Sequence, residues 1–266
     1  MNILVLGAYG LLGSHLCRSL LEESYKVFRQ GSSVNAELSC LPYLDDELLK
    51  IVKQKKPEVI INLIALTNVD DCEKDPKLAY LLNVKTVEKI IEAKEYFNFH
   101  LIHLSTDQVY SGNGIHKESC VNPVNVYGIT KYCSELVASK INSTIIRTNY
   151  HSKSLVPKRY SFSDWLVNSF KNGDSITLFD DIHFNAVHVS FLIQIIKKSI
   201  LEKQLGTFNV GCKDSTTKAK FAISLAKLLN LDYSSAVIGM SKDSKLLASR
   251  PNNMVLCVDK LQKVFK

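Results

Sequence analysis

A tyrosine and a lysine four positions apart are the first residues of this chain that suggest chemistry. Tyr127 and Lys131 lie in the stretch NVYGITKYCSE at 125–135, which is typical of the start of a helix. Residues four apart share one helix face, so the phenol and the ammonium would point the same way. Because a nearby ammonium favours the ionised form of a phenol, the pair suits a tyrosine that gives up a proton. The same spacing also occurs on ordinary solvated helix faces, so other residues must decide between the two interpretations.

A pair of hydroxyl residues ends an apolar segment upstream of this tyrosine. Ser105 and Thr106 close the segment HLIHLST at 100–106, and Thr106 lies 21 residues before Tyr127. In an open sheet of parallel strands, ligands bind at the carboxyl ends of the strands. We therefore expect Thr106 and Tyr127 to lie at a ligand site, where the hydroxyl can hydrogen-bond a ligand oxygen and the phenol can give it a proton.

Three glycines follow the first apolar run of the chain. The segment GAYGLLG places Gly7, Gly10 and Gly13 between a predicted strand at 2–7 and a predicted helix at 11–24. Glycines at such a turn let backbone N–H groups and a helix N-terminus receive a pyrophosphate without interference from a Cβ atom. The segment therefore predicts a dinucleotide site, and the alternative is a tight turn that needs glycine only for packing.

The end of the second predicted strand bears on which dinucleotide would bind. A site for NAD usually offers an acid to the ribose 2′-hydroxyl at this point. The segment FRQGSS offers Arg29 and no carboxylate, which favours the 2′-phosphate of NADPH, with NADH as the other candidate. The alternative for Arg29 is an ordinary surface position.

Apolar runs alternate with amphipathic segments through the first half of the chain. The predicted elements that follow the second strand are, in order, a helix at 45–57, a strand at 58–66, a helix at 76–97, a strand at 100–106, a helix at 125–140 and a strand at 143–148. This alternation predicts an α/β fold with a Rossmann-like, doubly wound parallel sheet over residues 1–150. The pattern loosens afterwards, and we expect residues 151–266 to form a smaller C-terminal substrate-binding lobe, partly interleaved with the first domain.

Composition restricts the class of protein further. The chain has 266 residues, of which 46% are hydrophobic and 22% charged, as in ordinary folded domains. The net charge of +7 comes from basic residues that are scattered singly or in short pairs, so we expect an anionic small ligand and no nucleic acid.

Cysteine usage and hydropathy bear on the compartment. Seven cysteines at irregular positions indicate reduced thiols and no metal site. No stretch approaches the roughly 20 apolar residues that span a membrane. A strand that begins at residue 2 leaves no room for a signal peptide. We therefore expect a cytoplasmic protein without membrane contact.

Taken together, these motifs resemble a known family. The glycine spacing and the Tyr-x-x-x-Lys pair are similar to those of the short-chain dehydrogenase/reductases. The segments VIINLIALTNVDDCEKDPKLAYLLNV, STDQVY, NPVNVYGITK, IIRTNY and ASRPNN resemble, in order and spacing, the extended member dTDP-4-dehydrorhamnose reductase over nearly the whole chain. The resemblance implies NAD(P)H-dependent reduction of the 4-keto group of a nucleotide-diphosphate 6-deoxysugar, for the synthesis of a surface polysaccharide. A homodimer is a further expectation.

The resemblance also assigns residues to roles. It implies the catalytic set Thr106, Tyr127 and Lys131. It places on the cofactor Gly7, Tyr9, Gly10, Leu11, Leu63, Ala65, Thr67 and Asn83. Arg29, at the end of the second predicted strand, is a further cofactor candidate. It places on the substrate Val69, Asp107, Tyr150 and Arg250.

Some segments depart from the family pattern. Tyr150 stands where the family typically has a tryptophan near the sugar, and Pro42-Tyr43 stands where it has an Asp-Phe pair beside the adenine. A basic stretch with Lys153, Lys158 and Arg159 is a candidate for the substrate diphosphate or for a solvated loop. These departures leave the sugar open.

Two alternatives to a reductase remain at this point. One is an epimerase or dehydratase of the same fold that recycles tightly held NAD, although no acid follows the second strand. The other is a non-catalytic subunit that binds NADP, since the reductase family resembles the regulatory β-subunit of methionine adenosyltransferase.

Overall fold

A seven-stranded sheet runs through the centre of the molecule. The computed structural model describes residues 1–44 and 46–265. The strands are β1 (Asn2–Leu6), β2 (Lys26–Gly31), β3 (Leu38–Ser39), β4 (Val59–Asn62), β5 (His100–Thr106), β6 (Ser143–Thr148), β7 (Tyr150–His151), β8 (Thr177–Phe179), β9 (His183–Phe184), β10 (Val187–His188), β11 (Gly206–Val210), β12 (Thr216–Thr217) and β13 (Val237–Gly239). The central sheet has the order β11-β6-β5-β4-β1-β2-β3, and all its pairs are parallel. The predicted doubly wound parallel sheet is confirmed.

Helices connect these strands and cover both faces of the sheet. They are α1 (Leu11–Leu21), α2 (Glu47–Lys55), α3 (Val69–Lys74), α4 (Pro76–Tyr80), α5 (Thr86–Lys94), α6 (Val126–Ala138), α7 (Phe162–Asn172), α8 (Val189–Glu202), α9 (Lys218–Leu228) and α10 (Asp259–Val264). On one face Leu16 of α1 and Ile196 of α8 are fully buried. On the other, Val52 of α2, Ile90 of α5 and Ala138 of α6 are fully buried. This double cover explains why the central strands are continuous apolar runs.

Two predicted elements are shorter in the structure than their patterns suggest. The strand predicted over 58–66 ends at Asn62, whose side-chain oxygen accepts a hydrogen bond from the Ile64 N–H at 3.2 Å. The chain therefore leaves the sheet early, and the segment after Asn62 is free to line a cleft. The helix predicted over 45–57 is observed as α2, Glu47–Lys55. Asp45, the first residue of the predicted range, lies outside the described residues.

The long helix predicted over 76–97 is divided. A π-helical turn at Leu81–Lys85 separates α4 from α5, and α3 precedes them as a helix that the sequence pattern did not indicate. Asn83 lies in this π turn, fully buried, with its side chain hydrogen-bonded to other segments. Such turns are often found at functional sites.

Segments from the second half of the chain contribute to two regions. Helix α8 and strand β11 complete the central sheet and its cover. Helices α7 and α9 pack with strand β8 in a separate apolar cluster. The domain boundary at residue 150 therefore stays a prediction. Among the described residues, no helix combines the length and apolar character that crossing a membrane requires.

Candidate active site

A cleft of about 1110 Å³ lies along the carboxyl ends of the central strands, between the sheet and the α7–α9 cluster. Most of the residues that the sequence assigns to function line it. Those predicted to contact the cofactor are Gly7, Gly10, Leu11, Leu63, Ala65 and Thr67. Those predicted to act on or contact the substrate are Thr106, Asp107, Tyr127, Lys131, Tyr150 and Arg250. The fold thus brings residues from separate strands, helices and loops into one cavity.

The glycine turn forms one end of this cleft. Gly7 adopts φ +75°, a conformation that side chains disfavour. A Cβ atom on Gly13 would lie 2.3 Å from the Gly7 carbonyl oxygen, so only glycine fits there. Gly10 is the N-cap of α1 and gives it no side-chain cap, which leaves the first N–H groups of the helix for a ligand. The turn therefore fits the diphosphate of a dinucleotide.

A second glycine sets the position of the tyrosine. Helix α6 begins after Asn125, whose side chain accepts a hydrogen bond from the Gly128 N–H at 2.8 Å. A Cβ atom on Gly128 would lie 2.4 Å from the carbonyl oxygen of Gln108. The absence of that Cβ lets α6 approach the end of β5 closely. Tyr127 is consequently buried against the cleft, beside Thr106.

Thr106 belongs to a short polar chain at the end of β5. Its hydroxyl accepts a hydrogen bond from the Gln108 N–H and donates one to Asp107 Oδ1, both at 3.2 Å. Asn149 donates to the other oxygen, Asp107 Oδ2, at 2.8 Å. Burial raises the pKa of Asp107, and the nearby Lys218 ammonium opposes that rise. A carboxylate is thus held next to the predicted catalytic hydroxyl.

Burial shifts the pKa values of the tyrosine and the lysine in opposite directions. It raises the pKa of Tyr127 above its usual range, and a hydrogen bond with Thr106 opposes the rise. It lowers the pKa of Lys131 to about 8, and the Glu135 carboxylate opposes that fall. The Lys131 ammonium donates to the Leu104 carbonyl at 2.5 Å. Burial therefore outweighs the groups that favour the ionised phenol, and the phenol is protonated at neutral pH. That Lys131 makes Tyr127 easier to ionise stays a prediction.

A buried histidine behind Lys131 is a feature that the sequence motifs did not reveal. His103 is fully buried on β5, and burial keeps its pKa well below the usual range. Its Nδ1 accepts from the Asn62 amide at 3.2 Å and its Nε2 faces the Ser134 hydroxyl at 2.9 Å. Ser134 donates to the Lys131 carbonyl at 2.6 Å, so its oxygen accepts from the His103 Nε2 hydrogen. This neutral chain fixes the turn of α6 that carries Lys131.

Arg29 of β2 forms an ion pair with Glu37 that the segment FRQGSS did not predict. Arg29 Nε donates to the Glu37 carboxylate at 2.8 Å, and its guanidinium lies 5.9 Å from the centre of the Tyr9 ring. Glu37 thus brings to Arg29 a carboxylate that the segment FRQGSS itself lacks. Neither Tyr9 nor Arg29 is among the residues that line the cleft. Their contact with the adenine end of a cofactor stays a prediction.

Two other predicted contact residues lie behind the cleft wall. Asn83 accepts from the Leu66 N–H at 2.7 Å and donates to the Thr130 hydroxyl at 2.9 Å. Val69 packs in the apolar cluster that contains Tyr127. Asn83 thus holds the backbone at Leu66, between the cleft residues Ala65 and Thr67, and Val69 packs in the cluster of the cleft residue Tyr127. A direct contact with a ligand stays a prediction for each.

Tyr150 and Arg250 line the cleft from different sides. Burial raises the pKa of Tyr150 to about 12, and a hydrogen bond from the Leu12 backbone, at the start of α1, opposes that rise. Tyr150 therefore lies next to the glycine turn. Arg250 pairs with Asp70 at 3.0 Å, and this ion pair connects the C-terminal segment to the start of α3.

The basic stretch contributes one residue to the cleft. Arg159 lines it, whereas Lys153 and Lys158 do not. Arg159 Nη1 lies 3.9 Å from the position of a Cβ atom on Gly10, so the guanidinium faces the glycine turn. The Lys153 carbonyl accepts from His15 of α1 at 2.8 Å, which holds the loop over that helix.

Lys218 is a cleft residue that the sequence motifs did not indicate. It begins α9, 91 residues after Tyr127, and no local pattern separates it from other lysines. The structure also places Trp165 on the cleft. Among residues 1–44 and 46–265, no group of three or more His, Cys, Asp or Glu side chains is arranged to hold a metal ion.

A doubly wound sheet whose carboxyl edge carries a glycine turn and a Thr, Tyr and Lys set defines the class of extended short-chain dehydrogenase/reductases. Within that class, the chain belongs to the family described as RmlD substrate binding domain, whose model matches residues 1–266. The resemblance found in the sequence is thereby confirmed.

Individual relatives agree with this assignment. A dTDP-4-dehydrorhamnose reductase from Aggregatibacter actinomycetemcomitans is 30% identical, over 99% of this chain and 93% of that protein. The methionine adenosyltransferase 2 subunit beta of Xenopus laevis is 28% identical, over 98% of this chain and 81% of that protein. The crystal structure of a dTDP-4-dehydrorhamnose reductase from Clostridium acetobutylicum has a TM-score of 0.90 and 26% identity, covering 100% of this chain and 93% of that one.

Proposed function

We propose that this chain is an NADPH-dependent oxidoreductase that reduces the 4-keto group of a nucleotide-diphosphate 6-deoxysugar, with NADH as the alternative reductant. It acts in the cytoplasm and supplies a sugar for a surface polysaccharide. The observation that carries the proposal is the convergence of Thr106, Tyr127 and Lys131 on one cleft with the glycine turn. Family membership and the dTDP-4-dehydrorhamnose reductase among the relatives support it.

The residues of this cleft divide the work between binding and proton transfer. Bound NADPH supplies the hydride. Gly7, Gly10 and the first N–H groups of α1 hold its diphosphate. When substrate binds, Thr106 turns its hydroxyl proton from Asp107 to the keto oxygen and orients it, and the Tyr127 hydroxyl gives that oxygen a proton.

The protonation state of Tyr127 and the charge of Lys131 both favour transfer of the proton to the keto oxygen. A protonated Tyr127 is the form that reduction requires, and burial keeps it protonated at neutral pH. Lys131 places a positive charge near the tyrosinate that forms when the proton leaves, which stabilises it. The burial of both side chains strengthens that attraction because water screens it less.

Two observations bear on the alternative functions. An epimerase that begins by oxidising a hydroxyl needs a tyrosinate as its base, and the raised pKa of Tyr127 favours the opposite starting form. The similarity to a methionine adenosyltransferase subunit supports a non-catalytic role, and the intact Thr106, Tyr127 and Lys131 set opposes it. A homodimer and the absence of a nucleic-acid partner stay predictions.

The proposal is tested by incubating the protein with NADPH and dTDP-4-keto-6-deoxyglucose, with and without a 3,5-epimerase. The absorbance of the reduced cofactor reports turnover. We expect oxidation that depends on the keto-sugar. Cofactor binding without oxidation for any related keto-sugar nucleotide, together with a stable protein partner in a pull-down, would favour the regulatory subunit.

A further inference from the structure

Lys218 is held in the cleft by aromatic rings. Its Nζ lies 3.8 Å from the ring centre of Phe184 and 4.5 Å from that of Phe162. The Lys218 N–H donates to the Ile182 carbonyl at 3.0 Å, which fixes the start of α9. An ammonium over two rings is favoured electrostatically even where water is excluded. The charge of Lys218 is therefore placed in the cleft with a defined geometry.

The Asp107 carboxylate lines the same cleft as this ammonium. Each group influences the pKa of the other, yet the contacts of the described residues include no direct ion pair between them. An ammonium only donates hydrogen bonds and a carboxylate only accepts them. A hydroxyl group does both, so one placed between the two side chains would satisfy each of them.

The place of that hydroxyl on the substrate follows from Thr106. Thr106 is the residue next to Asp107 and donates to its Oδ1 at 3.2 Å. If Thr106 binds the keto oxygen at C4, the group that reaches Asp107 belongs to a neighbouring carbon. In a 4-keto-6-deoxyhexose, C3 carries a hydroxyl, whereas C5 carries a methyl group and the ring oxygen.

We propose that Lys218 is a substrate-binding residue that donates a hydrogen bond to the sugar 3-hydroxyl, which in turn donates to Asp107. This inference rests on the proposed function and deepens it. The pair fixes which edge of the sugar faces Thr106 and Tyr127. It also makes the protein selective for substrates that keep a hydroxyl next to the ketone.

The test compares two variants on two substrates. Lys218→Met keeps a side chain of similar length between the rings, and Lys220→Met, an exposed position in the same turn, is the matched control. The substrates are dTDP-4-keto-6-deoxyglucose and its 3-deoxy analogue. A lost hydrogen bond to a charged group corresponds to a decrease on the order of 10- to 100-fold in kcat/KM. We expect that decrease for Lys218→Met on the 3-hydroxy substrate, and less than about twofold on the 3-deoxy analogue.

Other outcomes separate this inference from the proposed function. Equal losses on both substrates, or no loss on either, would overturn the role of Lys218 while leaving the reductase proposal intact. Absence of turnover by the unmodified protein would overturn both. NADPH binding and the thermal midpoint of each variant verify folding, and Lys218→Leu, which also removes the ammonium, replaces Lys218→Met if the latter does not fold.

Discussion

At the scale of single residues, burial sets the chemistry of this site more than the spacing of its charges does. The sequence suggested that Lys131 makes Tyr127 easier to ionise. In the structure burial raises the pKa of Tyr127, and Lys131 donates to a backbone carbonyl. A protonated phenol is what a reductase needs before hydride transfer. The lysine is then needed only as negative charge develops on the tyrosine oxygen.

The pH dependence of turnover follows from the same burial. Because the pKa of Lys131 is lowered to about 8, its charge is present below that pH and is lost as the pH rises through it. We expect kcat to be level below pH 8 and to fall above it. The groups near Lys131 are the Glu135 carboxylate and the neutral His103.

A pair of variants assigns this decline to one lysine. The pKa of Lys218 is also lowered to about 8 by burial. An arginine stays charged throughout this range. The decline should persist in Lys218→Arg and disappear in Lys131→Arg. The reverse pattern in pH profiles of kcat would contradict the role given to Lys131.

At the scale of elements, the close approach of α6 to β5 depends on Gly128. A methyl group there would lie 2.4 Å from the Gln108 carbonyl oxygen, so Gly128→Ala must push the helix away. We expect a loss of roughly 1–3 kcal/mol in the free energy of unfolding and a decrease in kcat. Ile129→Ala, at an exposed position one residue along, is the control. An unchanged urea midpoint and unchanged turnover in Gly128→Ala would show that the contact between α6 and β5 can accommodate a methyl group at this position.

A buried ion pair holds α6 against β6. Arg147 Nη2 lies 2.5 Å from Glu135 Oε2, and both side chains are almost fully buried. Replacing Arg147 by Met leaves an uncompensated carboxylate, so we expect a loss of about 3–5 kcal/mol in the free energy of unfolding. Exchanging both residues for Met should cost less than the single change. Chemical denaturation measures the free energy of unfolding of both variants. A larger loss in the double variant than in Arg147→Met would contradict the view that the single change is costly because it leaves Glu135 unpaired.

At the scale of the whole molecule, the cleft is assembled from segments that are far apart in sequence. The loop with Arg159 comes from the second half of the chain but faces the glycine turn. We expect Arg159→Ala to weaken NADPH binding by about tenfold, the effect of one charge-assisted hydrogen bond, with little change in KM for the keto-sugar. Lys158→Ala is the control. If instead the KM for the sugar nucleotide rises and NADPH binding is unchanged, Arg159 serves the substrate diphosphate.

Much of the fold and part of the site could be predicted from the sequence because their signals are local. The alternation of apolar runs and amphipathic segments indicated the parallel sheet, and the strand predicted at 143–148 is observed with those bounds. Gly7 and Gly10 were recognised because the turn lies directly after a strand. Thr106 and Tyr127 were recognised because a strand end and a helix start occur at a known separation.

The remaining features arise from tertiary contacts that no local pattern records. Lys218 and Asp107 line one cleft only because α9 packs over the sheet edge. Glu37 meets Arg29 through the loop that follows β2. The π turn at Leu81–Lys85 interrupts a helix whose sequence is amphipathic throughout. It contains Asn83, whose side chain forms hydrogen bonds with Leu66 and Thr130.

The central claim is that Tyr127 protonates a ketone in this cleft. Its most direct test is single-turnover oxidation of NADPH by Tyr127→Phe and by the unmodified protein, with dTDP-4-keto-6-deoxyglucose and the epimerase present. We expect the variant to bind NADPH with unchanged affinity and to lose turnover by at least about 100-fold, in keeping with the contribution of a general acid. Turnover within a few-fold of the unmodified protein would contradict the account and place the proton donor elsewhere.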